Sequence, residues 1–510
     1  MSVKTMVAVT DAGPPPAPVT DQGYVPDTSG DTPLGAPSAH QRGLYARAVP
    51  APSADRPLRV AVIGAGPAGV YAADALTAQD AVPVLVDVLD RLPTPYGLVR
   101  YGVAPDHLKM KQVALALAKV LSRPAVRFLG NVEVGDLSSG SDVQIADLAE
   151  RYDAIVWSYG ASTDRHLGID GEDLAGSTSA TEFVNWYCGH PDSPLESYVL
   201  SATAVAVVGV GNVAVDVARM LAKTADDLLV TDVHDEALDV LARSHITDIH
   251  VLGRRGPVQA KWTTKELREL GELANADIVV RADEVVLDEA SERDVAEHKD
   301  LARNLEVVKG WIDKPLEGKP RRIHLRFLVR PVGLVGADRV EGVVLERMQL
   351  DGNGGVTGTG ETEVLPVQMV FRSVGYQGRP LVEVPFDDRS ATVPNTEGRV
   401  LHDGAPMPGH YVAGWIKRGP TGVIGTNRSD ASETVASMLA DVDAGDLGTT
   451  APDRDPDSLI HLVHERGGEV VSWEGWLRID AAEVTKGERA SRTRVKIPAR
   501  DDLLHHGRHS

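Results

Sequence analysis

Val60-Ala-Val-Ile-Gly64-Ala-Gly66-Pro-Ala-Gly69 runs a short apolar strand straight into the pattern G-x-G-x-x-G, and this stretch decides the fold. Each glycine has its own task there. One makes a tight turn, the next lets the backbone approach a pyrophosphate, and the third allows a helix to pack closely on its strand. The pyrophosphate then rests on the helix N-terminus, where unpaired N–H groups and the helix dipole favour negative charge. A glycine triplet alone is weak evidence, but its context here is specific. A helix-like, alanine-rich run follows, then a second apolar run from Val82 to Leu89 that ends at Asp90, where a carboxylate would take ribose hydroxyls. Asp87 is the alternative for that role, and Asp90 is preferred because it lies at the strand end. Gly64, Gly66, Ala68, Gly69 and Asp90 are thus candidate cofactor contacts.

Working outward, the same unit recurs at Ala206-Val-Val-Gly209-Val-Gly211-Asn212-Val213-Ala214-Val-Asp216-Val-Ala-Arg219, with alanine in place of the third glycine. Two dinucleotides, or a dinucleotide and a flavin, are implied. The downstream strand Ile249 to Leu252 ends in Gly253-Arg254-Arg255. An NAD site would carry an acidic residue at such a strand end. Two guanidinium groups there can fork onto a 2′-phosphate, so the expected preference is NADP. The interval from turn to arginines is longer than usual, which an extra segment around Asp226 to Leu241 would explain.

The rest of the 510 residues sets limits. At roughly 150 residues per domain, two to four units are expected. With 43% hydrophobic and 25% charged residues the composition is that of a globular protein, and no apolar run approaches the ~20 residues of a membrane helix. A net charge of −21 argues against nucleic acid as a partner. The single Cys188 excludes a disulfide framework, a redox C-x-x-C pair and a cluster ligated by this chain, and reads as a plain core thiol. Residues 1–56, rich in Pro, Ala, Gly, Ser and Thr, read as a disordered tail that matches neither a secretory signal nor a transit peptide. A cytoplasmic location follows by default.

Four segments together resemble the adrenodoxin-reductase type of NADPH-ferredoxin reductase, a glutathione-reductase-like flavoprotein. They are Leu92 through His107, Gly211 through Arg219, Gly253 through Pro257, and Gly414 through Asn427, and the likeness runs over roughly residues 57–500. It implies an α/β architecture of two Rossmann-like dinucleotide-binding domains, the NADP domain inserted into the FAD domain. The expected parts are FAD-binding 57–161, NADP-binding 162–368, and a second FAD-binding part 369–510, with the final residues beyond Asp501 frayed. It further implies FAD contacts at Asp90, Leu98, Val132, Trp415 and the turn Gly422-Val423-Ile424. NADP contacts fall by the same likeness on Gly211, Asn212, Val213, Arg254, Arg255 and Glu266, with Gly422 near the nicotinamide end, and the turn itself adds Gly209. A proton-handling pair falls on His107 and Glu269. Leu108 departs from the pattern, where proline usually follows the histidine, and so does Lys261-Trp262, where smaller or apolar residues are usual.

The chemistry this implies is hydride transfer from NADPH to FAD and single-electron delivery to a ferredoxin-type iron-sulfur protein. No metal site is expected in the chain. Basic stretches at Arg254 to Arg268 and at Lys309 to Arg330 are candidate docking surfaces for an acidic carrier. A disulfide reductase and a cluster-bearing glutamate synthase subunit both need cysteines that are absent. An NADPH-dependent flavin monooxygenase is the alternative, although its usual fingerprint between the two turns is not evident.

Overall fold

A computed structural model describes residues 52–195, 198–448 and 451–508. Most of the segment read as a tail lies outside the described residues. The chain opens with β1 (Leu58–Ile63), β2 (Val84–Asp90), β3 (Val126–Gly130) and β4 (Ala154–Trp157), parallel strands lying side by side as β4-β1-β2-β3. All six residues of β1 are buried, as a parallel strand covered on both faces requires. Between β1 and β2 runs the helix α1 (Pro67–Thr77).

From there the chain builds a second sheet from β5 (Ser177–Ser179), β6 (Ala204–Val208), β7 (Asp248–Leu252), β8 (Ala276–Val280), β9 (Arg321–Arg326) and β10 (Met369–Arg372). Their order is β5-β10-β6-β7-β9-β8, all parallel. The helix α2 (Asn212–Ala222) follows β6, and α3 (Thr264–Gly271) follows β7. The chain then returns to the first sheet with β11 (Asn395–Thr396), β12 (Arg399–His402) and β13 (Ala405–Val412), the last parallel to β4. The long helix α4 (Thr426–Ala444) packs back on α1. A two-stranded antiparallel ribbon, Thr163–Asp164 with Tyr376–Gln377, joins the outgoing and returning chain.

Two expectations need correction. A division at residue 369 cuts off β10, which pairs with β6 through Met369 and Val205, so the return to the first sheet comes after Arg372. The run Met-Val-Phe reads as a buried strand in either sheet, and only its hydrogen-bonding partner tells them apart. The stretch read as frayed is also structured where it is described: Arg500–Gly507 is a helix whose Leu503 is fully buried. Burying such a side chain is worth roughly 1.5–3 kcal/mol, enough to hold a short helix in place. Just before it, buried Lys496 donates to the Arg100 carbonyl at 2.6 Å and the Cys188 carbonyl at 3.0 Å, while Arg492 pairs with Asp235. The final segment therefore ties both sheets together. Cys188 is wholly buried, and burial pushes its thiol pKa up, away from the reactive thiolate.

Candidate active site between two nucleotide turns

In the first turn, Gly64 has φ +110°, and a Cβ on it would stand 2.7 Å from the Ser158 carbonyl. A Cβ on Gly69 would meet the Gly64 carbonyl at 2.0 Å, so both positions require glycine. Gly66 is different: a Cβ there meets nothing within 4 Å. It precedes α1, which has Pro67 in its first turn and no side-chain cap, so the leading N–H groups face open space. Asp90 closes the other side, accepting from the Ala65 N–H at 2.8 Å and the Leu92 N–H at 2.9 Å. Burial raises its pKa and these two bonds oppose the rise. Asp87 is engaged elsewhere, with Arg127 at 2.7 Å and the Tyr152 hydroxyl at 2.7 Å.

The other residues expected at this cofactor fall into two groups. Gly97 packs so closely that its Cβ would lie 3.1 Å from Gly66 Cα, which brings Leu98 to the turn. Gly414 stands against Ala68, and Trp415 follows it with its ring 5.4 Å from that of Tyr376. Gly422 and Val423 are exposed, Ile424 is half-buried, and the next glycine, Gly425, starts α4 with no side-chain cap and open space around it. The helices that begin at these two uncapped N-termini, α1 and α4, pack on one another. Val132 is placed differently: its N–H bonds the Asp90 carbonyl and its side chain is in the core.

The second turn repeats the first. Gly209 has φ +134° and a Cβ on it would meet the Ser373 carbonyl at 2.1 Å, whereas Gly211 is open and leads into an uncapped α2. Asn212 Oδ1 accepts from the Thr263 N–H at 2.9 Å, and Val213 packs on the core. At the end of β7, Arg254 is exposed and Arg255 half-buried. Neither side chain has an ion-pair or hydrogen-bond partner among the described residues. Two unpaired guanidinium groups at a strand end beside a glycine turn have the chemistry to take an anion.

Between the turns lies a buried ionic cluster. Asp106 receives Arg219 Nε at 2.7 Å and Lys223 Nζ at 2.8 Å, which docks the segment after α1's unit onto α2. Arg219, only 2% exposed, also donates to Asp216 at 2.7 Å. His107 Nε2 lies 3.1 Å from Asp216 Oδ1, 3.1 Å from Glu266 Oε2 and 3.9 Å from Glu269 Oε2, and it touches Arg219 Nη2. Burial pulls the His107 pKa down, but hydrogen bonds to Asp216 and Glu266 outweigh that and the opposing Arg219, and the value is pushed up to about 9. A ring protonated at Nε2 cannot accept from Arg219, so its proton is directed at the carboxylates. Arg219 holds Asp106 well below the usual carboxylate range against the effect of burial. Burial likewise raises Glu266, and His107 with Arg219 brings it below its ordinary value.

His107, Glu266 and Glu269 have the spacing of metal ligands, with ligating atoms within 4.8 Å of one another. Arg219 Nη1, at 3.6 and 3.7 Å from the two glutamates, already supplies the positive charge there. Glu266, expected among the NADP contacts, sits in this cluster, closer to His107 than Glu269 is. Glu269 is less buried and pairs with Lys265 at 3.3 Å. Sequence reasoning missed Asp106, Asp216 and Arg219 as members, although the Asp216 to Arg219 spacing places both on one face of α2.

The docking stretch from Lys309 to Arg330 is largely neutralised by its own partners. Arg322 pairs with Asp248, Arg326 with Glu284 and Glu363, Arg330 with Glu346, and Lys314 and Lys319 with Glu317.

A family model described as pyridine nucleotide-disulphide oxidoreductase matches residues 58–286. The NADPH-ferredoxin reductase FprA of Mycobacterium tuberculosis is 43% identical over 465 residues, spanning 89% of this chain and 99% of that protein. The mitochondrial NADPH:adrenodoxin oxidoreductase of Arabidopsis thaliana is 38% identical, over 89% of this chain and 96% of its own. The solved structure of Mycobacterium tuberculosis FprA in complex with NADPH matches with a TM-score of 0.81 at 42% identity, covering 89% of this chain and all of that one.

Proposed function

The chain belongs to the NADPH-ferredoxin reductases, and from that premise we propose how its residues divide the work. The protein is an oxidoreductase that uses FAD and NADP and delivers electrons to a ferredoxin-type iron-sulfur partner. Both groups fit the residues present, since Gly66 and Gly211 each leave an open cradle at an uncapped helix N-terminus. FAD, when bound, accepts a hydride as an electron pair and releases the electrons singly.

In our reading, Gly64, Gly66, Ala68 and Gly69 hold the FAD pyrophosphate and Asp90 its ribose. Leu98, Trp415 and the Gly422 to Ile424 turn, backed by the α4 N-terminus, hold its ring end, while Val132 stands beside Asp90 at the ribose end. Gly209, Gly211, Asn212 and Val213 hold the NADP pyrophosphate, and Arg254 with Arg255 the 2′-phosphate. His107 keeps a proton at Nε2, and Asp216 and Glu266 orient it. Asp106 and Arg219 lock the two nucleotide units in register, so that segment 104–107 closes the seam against water. Glu269, at the partly exposed edge of the cluster, connects His107 to solvent. The two sheets correspond to an FAD domain interrupted by an NADP domain, with the return after Arg372. A cytoplasmic location belongs to the same proposal, resting on the diffusible nucleotide and protein carrier the enzyme must meet.

The observation that carries this reading is the joining of the two open glycine turns through one buried ionic cluster, Asp106-His107 on Asp216-Arg219. The test is to purify the protein, record its visible spectrum, and assay NADPH against NADH with a panel of ferredoxins. A yellow protein that reduces ferredoxin with a strong NADPH preference is expected. Colourless protein, or turnover that needs an organic substrate and oxygen in place of ferredoxin, would overturn the reading.

A further inference from the structure

The second turn has an unassigned cation beside it. Lys261 is exposed, and its side chain has no ion pair or hydrogen bond among the described residues. Its backbone is fixed against the turn itself. The Lys261 N–H donates to the Val210 carbonyl at 2.9 Å, and Lys261 pairs with Gly211 in an isolated parallel bridge. Two residues on, the bond from the Thr263 N–H to Asn212 Oδ1 fastens the same segment to the first residue of α2. A flexible four-carbon stem anchored there commands the space before the α2 N-terminus. That space is open, since a Cβ on Gly211 would meet nothing within 4 Å.

The neighbouring cations have different posts. Arg254 and Arg255 follow the end of β7, on the strand next to β6, and are not fixed to the α2 N-terminus. Lys265, the second residue of α3, is taken by Glu269. Among the described residues, Lys261 is thus the unpaired cation whose backbone is bonded to the glycine turn itself. In a chain of net charge −21, holding a polyanionic nucleotide depends on local unpaired cations of this kind.

We propose that Lys261 binds the dinucleotide pyrophosphate, the part NADP and NAD share, so that it raises affinity for both without choosing between them. This rests on reading the second turn as the NADP site. Flavin-loaded wild-type, Lys261→Gln and Arg254→Gln proteins are titrated calorimetrically with NADP+ and with NAD+. Lys261→Gln should weaken both nucleotides by the same factor, about three- to tenfold at low salt, as expected for a partly exposed charge contact. The deficit should shrink as salt rises and the screening length falls from about 10 Å at 0.1 M to 3 Å at 1 M. Arg254→Gln should weaken NADP+ alone, and Lys261→Arg should restore both affinities. Unchanged affinities in flavin-loaded Lys261→Gln, or a loss confined to NADP+, would overturn the proposal while leaving the NADP site intact. Wild-type protein that binds neither nucleotide would instead remove the reading of the turn, and this inference with it.

Discussion

The two glycine turns share a backbone path and differ in what surrounds it. At the third position, Gly69 has no room for a methyl group, whereas the second turn accommodates the methyl group of Ala214, which is fully buried. At the strand ends, Asp90 is already bonded to the turn it faces, while Arg254 and Arg255 have no partner among the described residues. The first turn is thus tight and internally braced before any ligand arrives. The second keeps its specific charges free for a ligand to complete. Pre-organisation of that kind suits a group that stays, and waiting charges suit one that binds and leaves.

The largest effect should come from reversing the third-position difference. Gly69→Ala forces a methyl group into the Gly64 carbonyl, an overpacking cost of about 1–3 kcal/mol, and should strip most FAD during gel filtration. Ala214→Gly should cost only about 1 kcal/mol and keep the flavin. Retention of FAD by Gly69→Ala would erase the contrast. Next, replacing Arg254 and Arg255 by alanine should raise the dissociation constant for NADP+ about tenfold or more per arginine, since charge-assisted bonds contribute about 1.5–3 kcal/mol, and leave NAD+ unchanged.

The seam between the turns can be probed by pH. The His107 pKa is raised in the folded protein, so the stability it contributes is complete below the ordinary value of about 6.5 and is lost as pH rises through about 9. Asp216→Asn removes a partner of the charged ring and should move the transition in the pH profile of flavin reduction down towards about 6.5. A profile that keeps its transition near 9 in the variant would exclude Asp216 from this role. The smallest effect is expected where an exposed charge already has a partner. Lys314→Ala removes an exposed, paired charge and should change ferredoxin reduction by less than about twofold.

What could be read from the sequence was local. The glycines, Asp90 and the arginine pair lie within short windows in which spacing alone carries the geometry. The ionic cluster was not legible as a unit, because Asp106 and Arg219 meet only when two sheets, each assembled from distant strands, are placed side by side. Family likeness pointed to His107 and Glu269, but the choice of Asp216 and Glu266 as nearer partners depends on how α2 and α3 pack. The place of β10 and the buried Leu503 escaped for a related reason: an apolar run or an isolated leucine does not say which surface covers it.

Central to all of this is a nicotinamide at the second turn within hydride reach of a flavin at the first. Rapid anaerobic mixing of the flavin-loaded protein with one equivalent of NADPH, following the flavin's visible absorption, tests it most directly. Prompt bleaching with NADPH and far slower bleaching with NADH is the predicted result. A flavin that keeps its colour with NADPH, or that bleaches equally fast with either nucleotide, would contradict it.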